Sequence, residues 1–356
     1  MKPEPAGAGT GTPPGGGYVG RLAPAPTGAL HLGNARTFLV AWLRARLAGG
    51  RLILRLEDLD HPKVKPGAAE DVYRDLAWLG LDWDAGPAES FPPFRSSETA
   101  SAAPAPESDR LFVQSRRRET YAAALEFLRR EGRVYPCACA RREIESFRSA
   151  PNAGEEAGER RYPGVCRDRF ANELAARAAS EGREAAWRFR VEAGRETVFT
   201  DGFFGRRSGK LSEWSGDFLI ARGEQAGYQL AVVVDDNALG VTEVVRGADL
   251  LPSTERQLAL YEALGFKPPA FFHVPLVVGP DGRRLAKRHG DTRLCRLRES
   301  GRPPGRVLGW LAKSLGWRAE LAEASLEEIR RHCDFSRLPQ EPAVVNPDEL
   351  RWLELG

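Results

Sequence analysis

The segment Arg21-Leu-Ala-Pro-Ala-Pro-Thr-Gly-Ala-Leu-His-Leu-Gly-Asn34 sets a histidine between two glycines, directly after a short apolar run. A strand that ends in a Gly-rich turn and opens a helix aims backbone N–H groups and the positive helix end at a phosphate-sized space. His31 lies inside that turn, where its ring can donate to a phosphoryl oxygen as negative charge builds there. A structural turn capped by a histidine is the plainer alternative for any single Gly-x-x-His. Further on, Arg51-Leu-Ile-Leu-Arg-Leu-Glu-Asp-Leu-Asp60 puts carboxylates at the end of an apolar run. At the carboxyl end of a parallel strand they would face a ligand crevice, and Glu57 could hold an ammonium there. The competing reading is a surface acidic cluster paired with Arg55. Cys137-Ala-Cys139 and Tyr162-Pro-Gly-Val-Cys166 offer three thiolates and a phenol, enough to close a tetrahedral zinc site. Three buried thiols and an ordinary tyrosine fit that spacing as well. Arg284-Leu-Ala-Lys-Arg288 is a basic loop that alone reads as a solvated hairpin. Only 7 of the 52 basic residues are lysines, however, so a lysine flanked by glycine-bearing turns stands out.

The elements that would position these residues follow the same order. A strand at 18–23 breaks at Pro24 and Pro26, a mostly buried helix spans 37–46 and closes at Gly49-Gly50, and a second strand covers 51–56. Helices are expected over about 66–79 and 115–132. This alternation argues for an α/β protein with a parallel sheet. The sheet is expected to resume with Tyr228-Gln-Leu-Ala-Val-Val-Val234, ending in Asp235-Asp236, and to continue with a strand near 242–246, a helix at 253–264 and a strand at 271–278. A polar helical stretch is expected at 170–182. Residues 1–17 read as a flexible tail and 88–110 as a low-complexity insertion. No internal repeat of 20–50 residues is present.

The chain's 356 residues exceed what one hydrophobic core usually supports, so two or more lobes are expected. A hydrophobic share of 42% and a charged share of 28% exclude collagenous and broadly disordered classes. No run approaches the ~18 apolar residues of a membrane helix. The first residues lack the apolar core of a secretory signal, and five cysteines, an odd count, suit a reducing, cytoplasmic setting better than a disulfide framework. Cys295 and Cys333 are read as free. The net charge of +3 is too small to mark a nucleic-acid binder by itself.

Taken together, the 14-residue string resembles the HIGH-type signature of class I aminoacyl-tRNA synthetases, in the form carried by the glutamyl branch. Arg284 to Arg288 looks like a degenerate second signature of that class, usually written KMSKS, with Lys287 at its second lysine. The likeness runs from about residue 18 to about 320. It implies a Rossmann-type catalytic core, residues 18–134 and 211–300, split by an inserted zinc-knuckle lobe at 135–210 and followed by a short helical C-terminal region at 301–356. By the family's pattern, Arg21, Leu22, Ala23, Pro24, Ala25, Glu57, Tyr228 and Arg246 would form the glutamate site. Pro24, Thr27, Gly28, His31, Gly33, Asn34, Arg284 and Lys287 would serve ATP, which arrives with Mg²⁺. His31 and Lys287 would stabilise the phosphates. Zinc ligands would map to Cys137, Cys139, Tyr162 and Cys166.

The chain departs from the pattern at Ala25 and Ala286, where serines are usual, at Arg284 in place of the first lysine, and at Asn34 in place of a second histidine. Each lost hydroxyl removes a hydrogen bond worth roughly 0.5–1.5 kcal/mol. After Lys287 only 69 residues remain, too few for a large anticodon-reading region. The resemblance therefore points to the sub-branch that glutamylates queuosine in tRNA(Asp). Its rivals are a compact glutamyl-tRNA synthetase charging the tRNA 3′ end, and a non-catalytic, zinc-stabilised RNA-binding module. Arg116-Arg-Arg118 could help hold an RNA backbone, or equally form a solvated helix face. No membrane and no obligate protein partner are expected.

Overall fold

In the computed structural model, Val19–Leu22 (β1) and Arg51–Leu54 (β2) pair in parallel, in register Val19 to Arg51, and Leu32–Leu47 (α1) crosses between them. The described residues are 17–59, 63–88, 110–140, 161–283, 285, 292–301 and 303–355. The expected tail except Gly17, the 88–110 insertion for all but its two end residues, and the loop residues Arg284, Ala286, Lys287 and Arg288 lie outside them. The first helix begins five residues before the expected start, because His31 caps it. It is buried on nearly every face, through Phe38, Leu39, Val40, Trp42 and Leu43. After it the chain returns to the sheet through Gly50, where a side-chain carbon would lie 2.4 Å from the Tyr18 carbonyl. Only glycine allows that approach. Ala68–Trp78 (α2) and Arg118–Arg130 (α3) follow, each within a few residues of expectation.

The middle of the chain contributes Val134–Cys137 (β3), Glu173–Ala179 (α4), Ala186–Phe189 (β4), Thr197–Asp201 (β5), Gly205–Gly209 (β6), Leu211–Trp214 (α5), Phe218–Arg222 (β7) and Gln225–Ala226 (β8). Four of these strands form one antiparallel sheet, in the order β3-β4-β7-β8. This sheet does not stop at the expected boundary of 210, since β7 and β8 belong to it. Within 135–210, the β5–β6 hairpin leaves the lobe and joins a different sheet.

The last third supplies Tyr228–Ala238 (α6), Glu243–Gly247 (β9), Ser253–Ala263 (α7), Ala270–Val274 (β10), Val277–Val278 (β11), Leu294–Glu299 (α8), Gly305–Ser314 (α9), Leu326–His332 (α10), Ala343–Val344 (β12) and Pro347–Leu355 (α11). The expected strand at 228–234 is a helix instead. Leu230, Ala231, Val232, Val233 and Val234 are all buried, so every face of its middle turn is apolar. A short apolar run of this kind has no period that separates a buried helix from a buried strand. The expected strand at 271–278 is two strands, interrupted at Pro275.

β10 lies between β9 and β5, parallel to both, giving the order β6-β5-β10-β9. β1 runs alongside this sheet, where Val19 accepts from the Thr242 N–H at 2.9 Å and the Tyr18 hydroxyl donates to Glu243 at 2.7 Å. The expected α/β architecture with parallel strands is therefore present. The C-terminal helices share the core of the first half: Leu308, Leu311 and Leu353 pack in one cluster with Leu39, Leu43 and Leu76. β12 extends β11 in parallel. Arg36, on α1, is fully buried and donates to the carbonyls of Pro275 and Ser314, tying the first helix to the β10–β11 link and to the end of α9. α2 is held to α8 by Asp75, which accepts from Arg298 Nε at 2.9 Å. No described helix is long and apolar enough to cross a membrane.

Candidate active site

The carboxyl ends of β1, β2 and β9 and the start of α1 converge on a cleft of about 440 Å³. Arg21, Ala23, Pro24, Ala25, His31, Gly33, Asn34, Glu57, Tyr228 and Arg246 all line it. Residues more than 220 positions apart in sequence thus meet in one crevice. Leu22 does not, because its side chain is fully buried in the core. Thr27 and Gly28 sit on the same turn without lining the cleft. A slightly larger opening, about 500 Å³, lies beside α7. Among its charged residues, Arg190 pairs with Asp168 and Arg195 with Glu192 and Glu262, while the buried Nε of Arg133 has no hydrogen-bond partner.

His31 has an extended backbone and caps α1. Its Nδ1 accepts from the Gly33 N–H at 3.0 Å, and Asn34 Oδ1 accepts from the His31 N–H at 3.1 Å. Because Nδ1 accepts, the neutral ring carries its proton on Nε2, which makes that atom a donor. Gly33 is required by the same contact, since a Cβ there would stand 2.9 Å from the imidazole. The His31 turn is bound to the chain just after the basic loop: Leu32 N–H donates to Thr292 O, and Leu294 N–H to Leu30 O. Leu285, from within that loop, lines the cleft.

Glu57 is set by backbone hydrogen bonds, Arg55 N–H to Leu22 O at 2.8 Å and Glu57 N–H to Pro24 O at 2.9 Å. Its carboxylate pairs with Arg55 at 2.8 Å, so the ion pair of the competing reading exists, but it is buried rather than on the surface. Arg55 also reaches Asp236 at 2.5 Å and lies 3.8 Å from Asp235. Burial pushes the Glu57 carboxyl above its ordinary value, and the Arg55 charge opposes the shift. Asp235 collects Arg117 Nε at 2.6 Å, Gln114 Nε2 at 2.8 Å and the Tyr121 hydroxyl. Arg117 is therefore a buried structural cation and is not available to an RNA backbone, in contrast to the reading of the 116–118 triplet as one surface.

Two guanidinium groups face the cleft, both nearly inaccessible. Arg21 donates from Nη1 to Val245 O at 2.8 Å and stands 3.6 Å from Asp236, while its buried Nε has no hydrogen-bond partner. Arg246 donates to His273 Nε2 at 2.9 Å, Gln257 Oε1 at 2.7 Å and Thr254 Oγ1 at 2.9 Å. Among the described residues no carboxylate lies within ion-pair distance of it. Burial lowers its pKa from the ordinary value. His273, Gln257, Thr254, Asp235 and Asp236 are the parts of the site that reading by motif missed as working residues. The single histidine within the apolar Phe271-Phe-His-Val274 run was the available signal.

Cys137, Cys139 and Cys166 place their sulfurs within 4.8 Å of one another, with the Cys139 and Cys166 sulfurs 3.4 Å apart. The Tyr162 oxygen is 3.4 Å from Cys137 Sγ and 3.5 Å from Cys139 Sγ. Arg188 donates from Nε to Cys137 Sγ at 3.3 Å and stacks on the Tyr162 ring at 3.6 Å. Hydrogen bonds from Cys139 and Cys166, helped by the Arg188 charge, hold the Cys137 thiol well below its ordinary value. A soft cluster of three thiols and a phenol of this size suits zinc.

The family model for "tRNA synthetases class I (E and Q), catalytic domain" matches residues 19–352. The chain is 45% identical over 350 residues to the glutamyl-Q tRNA(Asp) synthetase of Rhodopirellula baltica, covering 92% of this chain and 96% of that one. It is 43% identical over 338 residues to the enzyme of the same name from Nitratidesulfovibrio vulgaris, covering 95% and 98%. Among solved structures, a glutamate-tRNA synthetase from Elizabethkingia anophelis superposes with a TM-score of 0.75 at 26% identity, over 95% of this chain and 70% of that one.

Proposed function

Because the chain belongs to the class I tRNA synthetases of the E and Q type, we propose that it activates L-glutamate with ATP and transfers the glutamyl group to the queuosine of tRNA(Asp). In the first step a glutamate carboxylate oxygen attacks the α-phosphorus and pyrophosphate leaves. In the second, a hydroxyl of the queuosine diol attacks the anhydride carbonyl, loses its proton and releases AMP. The observation that carries the reading is Arg246, a buried cation held by three neutral acceptors. Burying an unpaired charge is costly, and a ligand carboxylate supplies the counter-charge. Three of its five N–H groups are engaged, leaving one on Nη1 and one on Nη2 for a bidentate carboxylate.

The other roles are assigned on the family's pattern, supported by the residues that line the cleft. Arg21 takes the second carboxylate, Glu57 takes the ammonium, and Tyr228 closes the rim between them. Pro24, Ala25 and Gly33 bring backbone close to the nucleotide, and His31 Nε2–H donates to its phosphates. By the family's pattern Lys287 and Arg284, which lie outside the described residues, would serve ATP together with Thr27, Gly28 and Asn34. ATP enters with Mg²⁺, for which no protein ligand is assigned. Cys137, Cys139, Tyr162 and Cys166 would hold zinc, which contributes folding free energy where it binds.

The acceptor follows the names of the relatives that match almost end to end, and the active-site residues do not separate it from a tRNA 3′ end. Labelled glutamate should pass to queuosine-containing tRNA(Asp) and not to an unmodified transcript of the same tRNA. Efficient charging of unmodified tRNA(Glu) at its 3′ end would make the compact glutamyl-tRNA synthetase the correct reading.

A further inference from the structure

His273 lies in the middle of β10, fully buried, between the cleft and the β5–β6 hairpin. Its Nε2 is 2.9 Å from Arg246 Nε, and its Nδ1 is 2.6 Å from Asp201 Oδ2. An arginine N–H can only donate, so His273 Nε2 must present a lone pair. The ring proton then resides on Nδ1, where Asp201 accepts it. The other oxygen of Asp201 is occupied by the N–H groups of Phe203 at 3.0 Å and Phe204 at 2.8 Å, which sets the rotation of the carboxylate. Burial and the neighbouring Arg246 charge keep the imidazole below its ordinary pKa, in its neutral form.

We propose that Asp201 and His273 are positioning residues of the amino-acid pocket: by locking one imidazole tautomer they set the direction of the Arg246 fork and so its selection of a carboxylate. The inference rests on reading Arg246 as the carboxylate-binding group. Thr254 and Gln257, both on α7, hold the two terminal nitrogens. His273 holds the remaining nitrogen from β10, on a different element. With Nε anchored, the guanidinium plane is defined from both sides. Without that anchor the group can pivot about its two α7 contacts.

Asp201→Asn is the direct test. The Phe203 and Phe204 N–H groups retain the amide oxygen, so the amide nitrogen turns to His273 Nδ1. The ring proton is driven to Nε2, where it meets Arg246 donor to donor. In ATP–pyrophosphate exchange the KM for glutamate should rise about tenfold, the weight of one hydrogen bond to a charged group. The KM for ATP and kcat should stay within about twofold, since neither ATP nor the reacting atoms touch this pair. His273→Gln supplies a carboxamide oxygen that accepts from Arg246 whatever Asp201 does, so Asp201→Asn should add nothing in that background. ¹⁵N NMR of the wild-type imidazoles, assigned by difference against His273→Gln, should show the Nδ1–H tautomer, and this holds as a test even where Asp201→Asn does not fold. An Nε2–H tautomer or an imidazolium at neutral pH, an unchanged glutamate KM in a folded Asp201→Asn, or a full additional loss in the double variant would each overturn the relay. A wild type with the Nδ1–H tautomer but no glutamate-dependent exchange would support the relay's geometry and sink the functional reading instead.

Discussion

Arg246→Lys separates charge from shape at the centre of the site. The lysine keeps the positive charge but replaces a planar fork with a single point donor. In the native site three nitrogens of the guanidinium are held by His273, Gln257 and Thr254, and two N–H groups remain for the ligand. An ammonium can satisfy only one oxygen of a carboxylate well, and it must abandon at least one of the three neutral acceptors. Losing one hydrogen bond to a charged group is worth about 1.5–3 kcal/mol, or roughly 10- to 100-fold in the glutamate KM. Arg246→Gln removes the charge as well and should cost more. The assay is glutamate-dependent pyrophosphate exchange, with KM determined separately for glutamate and ATP, and a melting curve to confirm that each variant is folded. A folded Arg246→Lys enzyme whose glutamate KM is unchanged while its ATP KM rises would refute the assignment and move Arg246 to the nucleotide.

Lys287→Ala should lower the exchange rate by roughly 10²-fold or more, as loss of one preorganised charge stabiliser does, and a wild-type rate would remove the 284–288 loop from the chemistry. Purified protein should contain about one equivalent of zinc, and replacing Cys137 and Cys139 together by serine should lower both metal content and melting temperature; metal-free protein that melts normally would refute the site. Asp75 is pushed up to about 7, by burial first, with its partner Arg298 opposing the shift. The folded state then binds the proton more tightly than the unfolded chain, so Asp75 costs stability as pH rises from about 4 to about 7. Relative to wild type, Asp75→Asn should gain roughly 1–3 kcal/mol in denaturant unfolding between pH 5 and pH 8, and a pH-independent difference would show that Asp75 is ionised throughout.

The parts of the site that were legible in the sequence are those whose chemistry is local. His31 and Glu57 stand just after short apolar runs and Arg21 within one, and the family's motif, more than spacing, marks them as facing a crevice. The relation between Arg246 and His273 was not legible, because the two are joined across neighbouring strands and the histidine's own partner, Asp201, is 72 residues away. α1 starts before its expected position because Gly33 and Asn34, which disfavour a helix interior, here occupy its capped first turn. Val232 to Val234 is a β-branched run that favours a strand, yet it lies in α6. Tertiary burial on all sides overrides that preference. Nothing local signals that Arg117 of the basic triplet turns inward, since its partner Asp235 lies more than a hundred residues on.

One feature of the fold bears on how the chain is made. β1, near the start, is completed by β9: Tyr18 bonds Glu243, Val19 bonds Thr242 and Arg21 bonds Val245, all at separations of 223 to 225 residues. Arg55 waits for Asp236, 181 residues on. Ribosomes add roughly 5–20 residues each second, so these partners are synthesised on the order of 10–45 s apart. During that interval the first strand pair exposes one unpaired edge, and Arg21 and Arg55 remain hydrated rather than buried. The antiparallel lobe, whose strand pairs are much closer in sequence, can form meanwhile. The cleft thus cannot exist until β9 has been made, and a chain arrested before β9 carries the His31 turn without the pocket that gives it a use.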